Sequence, residues 1–95
     1  MRNNHCLFSV IIPVFNNAQY IKQTLDSVFA QIDSDVEVII INDGSTDKSK
    51  AVIQQAIDQY CGAGQIHFYS YENSGVSRAR NRALDQAQGA WIGFI

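Results

Sequence analysis

The stretch VEVIIINDGSTD, Val36 to Asp47, decides the fold of this chain. Its first six residues are apolar at every position except Glu37, and most are β-branched. Strict alternation would mark a strand with one wet face. Near-continuous hydrophobicity marks a strand buried on both faces, as in a parallel sheet. The run therefore predicts a strand over about Val36–Ile41. Asp43 and Gly44 follow, a pair that can close a hairpin. The residues beyond them have helical spacing instead: Val52, Ile53, Ala56, Ile57 and Tyr60 share one face, with Gly62 as the expected stop. A strand that feeds a helix is half of a βαβ unit.

The same alternation continues in both directions. Upstream, the β-branched run Leu7–Val14 predicts a first strand. Asn17 is the expected N-cap of a helix over about Ala18–Gln31, with Ile21, Leu25, Val28, Phe29 and Ile32 on one face. Downstream, Ile66–Tyr71 predicts a third strand and Glu72–Gly75 a loop. A third helix follows over about Val76–Gln88, with Gly89 ending it, and Ala90–Ile95 predicts a fourth strand. The order βαβαβαβ implies an α/β, Rossmann-like domain with a mostly parallel sheet and right-handed crossovers.

Composition narrows the function classes. At 95 residues the chain holds one domain at most, and 46 % hydrophobic residues are enough for a packed core. A formal net charge of -2 lacks the basic footprint of a nucleic-acid binder. No apolar run approaches the roughly 20 residues of a membrane span, and no signal-peptide pattern opens the chain. Cys6 and Cys61 match no zinc or redox spacing. They read as free thiols, which points to a reducing, cytoplasmic compartment. His5 and His67 have no carboxylate near them in sequence and read as incidental. The chain ends on the apolar run Ala90–Ile95 with no turn or cap after it, so a truncated domain is expected.

In an open parallel sheet, ligands bind beyond the carboxyl ends of the strands. That rule selects three loops: Phe15–Asn17, Asp43–Asp47 and Glu72–Gly75. Each leads to a helix N-terminus, where free N–H groups and the helix dipole favour an anion. The dinucleotide fingerprint, the P-loop and the nucleophile elbow are all absent. On a helical wheel, Val76, Ala79, Ala83, Leu84 and Ala87 form the buried arc of the third helix, and Arg80 lies within it. Arg78 and Arg82 lie opposite, beside Asp85, on the expected solvent side. A guanidinium turned inward needs an anionic partner, either Asp43 or a nucleotide phosphate. Asp43 can equally close its own turn, and Phe15 can either pack or offer a stacking face. Asn73 and Gly75 read as a turn, and Gly75 also allows a close backbone approach.

Three blocks, taken together, resemble the family 2 glycosyltransferases of GT-A fold. They are Phe8–Asn16, Val38–Asp47 and Glu72–Asn81, the last followed by Gly89 and an apolar strand. The resemblance covers the chain from Phe8 onward. It implies that residues 1–95 are the N-terminal, nucleotide-sugar-binding half of a single glycosyltransferase domain. It assigns Phe15 to base contact, Asp43 to hydrogen bonding with the base (usually uracil) and Arg80 to the nucleotide side of the cleft. Asn73 is carried over beside them. Two departures stand out: Asn42 where an acid is common, and Ala83 where glycine is frequent.

The implied reaction moves a sugar from a nucleoside-diphosphate sugar, usually a UDP-sugar, to a glycan or lipid-linked acceptor hydroxyl, usually with inversion. A divalent cation, Mg²⁺ or Mn²⁺, offsets charge on the leaving diphosphate. The family's Asp-x-Asp element, which holds that ion, would begin directly after Ile95. The general base would come later still. The resemblance therefore implies recognition without catalysis in these residues and no transferase activity from them alone. It also implies polysaccharide or glycan assembly in the cytoplasm, with room for peripheral association of the longer protein at the inner membrane face. The alternative is a non-catalytic α/β domain that binds a small anion or nucleotide.

Overall fold

A computed structural model describes residues 8–72, 76–87, 89 and 91–95. The side chains of Val76, Ser77, Ala79, Arg80, Ala83 and Trp91 lie outside the description. Seven elements alternate along the chain. They are β1 (Phe8–Val14), α1 (Ile21–Phe29), β2 (Val36–Asp43), α2 (Ser49–Gln59), β3 (Gln65–Tyr71), α3 (Val76–Gln86) and β4 (Trp91–Phe94).

The strands form one sheet in the order β3-β2-β1-β4, and all three pairings are parallel. The apolar run that predicted β2 is the central feature. Val38, Ile39, Ile40 and Ile41 are each 0 % exposed, because β2 has a strand on both sides and helices over both faces. Its even-numbered side chains join Ile12 and Val14 against Ile21 and Leu25 of α1 and Ile53 and Ala56 of α2. Its odd-numbered Ile39 and Ile41 join Ile11 on the opposite face, with Tyr69, Tyr71 and Ala87 against them. Helix α3 packs over β2 and β1 on that face.

The order of strands fixes a second feature. The chain steps from β1 to β2 to β3 in one direction, then crosses back beyond β1 to form β4. The direction of winding reverses between β1 and β4, the place where open α/β sheets have a crevice at the carboxyl ends of the strands.

Several local expectations need correction. Helix α1 begins at Ile21, not Ala18, and its N-cap is Tyr20 with no side-chain cap. The Asn17 carbonyl instead accepts the N–H groups of Tyr20 and Ile21, which makes a turn ahead of the helix. Gly62 does not cap α2, because the chain already leaves the helix at Tyr60, which is extended with φ -75° and ψ 130°. Gly89 ends no helical turn either; α3 stops at Gln86. Gly89 is needed for contact with β1, since a Cβ there would lie 2.6 Å from the Ser9 nitrogen. Leu84, expected inside, is 40 % exposed. A single helix about 10 Å wide cannot cover four strands spaced about 4.8 Å apart. Ile92 and Phe94 on β4 are exposed in the same way.

Candidate functional site

The loops after β1 and β2 are bound to each other by side chains that the sequence offers only as turn formers. Asn16 sits in the left-handed region at φ 48°, and Gly44 does so at φ 73°. The Asn16 Oδ1 accepts the backbone N–H of Thr46 at 2.8 Å and that of Asp47 at 3.3 Å. In return, the Asn16 N–H donates to Ser45 Oγ at 2.9 Å and the Asn17 N–H to Ser49 Oγ at 2.8 Å. Ala18 N–H donates to Asp47 Oδ2 at 3.1 Å. The two loops thus form one rigid rim at the carboxyl end of the sheet.

Asp47 anchors that rim. Its Oδ1 accepts the N–H of Ser49, the first residue of α2, at 2.8 Å. The Ser49 hydroxyl is the main influence holding the Asp47 carboxyl below its ordinary range. Partial desolvation opposes it, and the N–H groups of Ser49 and Ala18 add to it. A carboxyl with a lowered folded pKa stabilises the fold above its unfolded pKa, and that contribution is lost as pH falls through the folded value. Urea midpoints should therefore drop on acidification, and Asp47→Asn should flatten part of that dependence. An unchanged pH profile in the variant would contradict this role.

Asn42 joins β3 to the loop after β2: its Nδ2 donates to Ser70 Oγ at 3.0 Å, and its Oδ1 accepts the Ser45 N–H at 3.3 Å.

The expected site residues fall as follows. Phe15 directly follows β1 beside the crevice and is 47 % exposed, so it is not core packing. Asp43 is the last residue of β2 and is 3 % exposed. Both stand at the carboxyl end of the sheet. Asn73 and Gly75 lie outside the described residues, as does the Arg80 side chain. The backbone of Arg80 is in α3, as expected.

Helix α3 brings one correction. Arg78 and Asp85 are exposed as the wheel expects, but Arg82 is half-buried. Its guanidinium carbon lies 4.2 Å from the centroid of the Tyr71 ring. The wheel placed Arg82 in solvent because it knows nothing of the aromatic at the end of β3.

A second polar group was missed, at the opposite end of the strands. Glu37 is 1 % exposed on the central strand. Its Oε2 accepts the Ser9 hydroxyl at 2.6 Å, and Ser9 Oγ in turn accepts the Gly89 N–H at 2.8 Å. His67 Nε2 lies 3.4 Å from Glu37 Oε1, so this histidine is not incidental. Its carboxylate neighbour comes from the adjacent strand, two positions off the Ile39–His67 register pair.

Away from the rim, a cavity of about 420 Å³ opens where α1 and α2 end, lined by Asp26, Phe29, Ala30, Tyr60 and Cys61 among others. It lies at the end of the molecule away from the crevice. Among the described residues, no three His, Cys, Asp or Glu side chains cluster as a metal site would require. No helix among them is long and apolar enough to cross a membrane.

A parallel sheet of this winding with helices over both faces defines an open α/β domain, and known proteins sharpen that class. The sequence matches the profile described as Glycosyl transferase family 2 over residues 9–95. The chain belongs to that family, and its fold is GT-A. It is 42 % identical over 98 residues to TuaG of Bacillus subtilis (strain 168), provisionally named as a teichuronic acid biosynthesis glycosyltransferase. That match covers 100 % of this chain and 37 % of TuaG. The crystal structure of S. aureus TarS superposes with a TM-score of 0.81 at 29 % identity, over 94 % of this chain and 16 % of TarS. The Pyrobaculum calidifontis mannosyltransferase PcManGT, solved with GDP-Man and Mn²⁺, superposes with a TM-score of 0.78 at 25 % identity, over 85 % of this chain and 24 % of that one. The chain thus spans well under half the length of the curated relatives it matches.

Proposed function

We propose that these residues are the donor-recognition part of a glycosyltransferase. The enzyme would move a sugar from a nucleoside-diphosphate sugar, most simply a UDP-sugar, to an acceptor hydroxyl of a glycan or lipid-linked glycan. The observation that carries this reading is the rim built by Asn16 and Asp47. It fixes the loops after β1 and β2 at the crevice, with Phe15 exposed on it. Phe15 is assigned as a face for the base, Asp43 as acceptor of a base N–H, and Arg80 to the nucleotide side of the cleft by the family resemblance; Asn73 is assigned beside them.

Transfer with inversion needs a base to take the proton of the acceptor hydroxyl as its oxygen bonds to the sugar carbon and the diphosphate departs. When bound, Mg²⁺ or Mn²⁺ would neutralise charge on that leaving group. Neither step is assigned to these residues. Their contribution is to bind and orient the donor, and they are expected to transfer no sugar alone. The name of TuaG supports a role in surface polysaccharide assembly; the reaction is proposed to take place in the cytoplasm, with peripheral membrane association of the longer protein.

Isothermal titration with UDP tests the assignment. Phe15→Ala and Arg80→Ala should each weaken binding by about tenfold, the size of one lost stacking or charge-assisted contact. Equal affinity in variants and parent would remove these residues from the site. UDP binding together with sugar transfer by this chain alone would contradict the division between recognition and catalysis.

A further inference from the structure

We propose that the cavity where α1 and α2 end is a second binding site, for a small organic cation: an ammonium group carried on an apolar body. Its volume of about 420 Å³ suits a small molecule. Two of its walls are aromatic. Phe29 is the last residue of α1 and Tyr60 the first after α2, and both are half-buried. Their ring centroids are 5.0 Å apart and their planes are tilted by 49°. The Tyr60 ring is fixed from two sides. Its hydroxyl accepts the Gly64 N–H at 2.8 Å, and a Cβ at Gly62 would lie 2.7 Å from its Cζ, so the ring needs glycine there. Ala30 and Ala56 supply small apolar surface beside the rings.

The electrostatics give the sign of the ligand. The last carbonyls of a helix carry the negative end of its dipole. Two such ends meet at this cavity, and neither helix has a basic residue in its last turn. Each has an acid there instead, Asp26 in α1 and Asp58 in α2, on the unfavourable end of the dipole. Asp26 also lines the cavity, and it is the one charged side chain among the described residues that do. Lys22 Nζ takes its Oδ2 at 2.7 Å, in a pair exposed on both sides. A carboxylate accepts more than one bond, and an exposed ion pair yields readily to a competitor. A cation seated here meets a carboxylate, two helix C-termini and two aromatic rings, whose faces attract positive charge. An anion meets like charge, so this site does not compete for the phosphates of a nucleotide.

Amide shift mapping of the ¹⁵N-labelled chain at low salt tests this with three probes: benzyltrimethylammonium, the neutral benzyl alcohol and the anionic phenylacetate. The ammonium should shift Phe29, Ala30, Tyr60 and Gly62, and should bind at least about fivefold more tightly than benzyl alcohol. Phenylacetate should bind more weakly still. Asp26→Asn and Tyr60→Leu should each weaken the ammonium by about fivefold. Lys22→Ala should do the opposite and tighten it by about twofold, because it frees Asp26 from its competitor; a general loosening of the fold would not produce that gain. If Tyr60→Leu fails to fold, judged by circular dichroism, Gly62→Ala carries the comparison, since it pushes the ring aside without removing it. Equal affinity for the ammonium and benzyl alcohol, unchanged affinity in Asp26→Asn, or no shifts at these residues up to about 10 mM ammonium would overturn the proposal. None of these outcomes bears on the donor site at the other end of the sheet.

Discussion

Ser9→Ala should destabilise the chain by about 3 kcal/mol, the largest loss expected from any polar substitution considered. The hydroxyl does two jobs inside the fold. It donates to the Glu37 carboxylate at 2.6 Å and accepts the Gly89 N–H at 2.8 Å. Alanine removes the short bond from a carboxylate that is 1 % exposed and leaves the Gly89 N–H without its acceptor. A hydrogen bond to a charged group contributes about 1.5–3 kcal/mol, and a stranded backbone donor adds about 1 or more. Replacing both polar partners should recover much of the loss, because the cost comes from stranding one of them. Ser9→Ala with Glu37→Leu should then be more stable in urea than Ser9→Ala alone. A single variant as stable as the parent would show that the group contributes nothing.

The second large effect is expected at Asn16. Asn16→Ala removes an acceptor shared by two backbone N–H groups of the facing loop and puts alanine at φ 48°. The left-handed conformation costs a residue with a Cβ about 1–2 kcal/mol, and the lost bonds add about 1 kcal/mol each where they are solvent-shielded. A total of about 2 kcal/mol is expected, since this rim is partly exposed. Asn16→Gly separates the two causes, because glycine accepts that φ freely but makes no side-chain bond. It should lose about 1 kcal/mol less than alanine. Both variants should also bind UDP more weakly than the parent, because the loop that carries Phe15 loses its side-chain bonds to Thr46 and Asp47. Alanine and glycine variants of equal stability would mean that backbone strain plays no part.

These two residues also mark where sequence reasoning stops. The order of elements and the parallel sheet were legible, because a strand buried on both faces has to be apolar throughout and Val38–Ile41 is. The carboxyl-end rule then selected candidate site loops without any motif. What holds those loops was hidden. Asn16 and Asp47 read as turn formers, and their bonds span about thirty residues of chain, a distance no local pattern encodes. Glu37 was visible as the single charge in a run otherwise apolar, which is a signal for a buried partner. The identity of that partner depended on register, which pairs Ser9 with Glu37 directly and sets His67 diagonally. Arg82 shows the same limit. A wheel ranks faces of one helix, but whether a face meets water depends on the strand beneath it. Helix ends failed for a local reason, since Asn17 uses its carbonyl rather than its side chain at the start of α1.

The central claim is that the donor nucleotide binds at the carboxyl end of the sheet, against the rim that the loops after β1 and β2 form. Amide chemical-shift mapping of the ¹⁵N-labelled chain during titration with UDP tests it most directly. The account predicts the largest shifts at Phe15–Ala18 and Asp43–Asp47, with little change at Phe29, Tyr60 and Cys61. Shifts concentrated on those last three residues, around the cavity where α1 and α2 end, would contradict it.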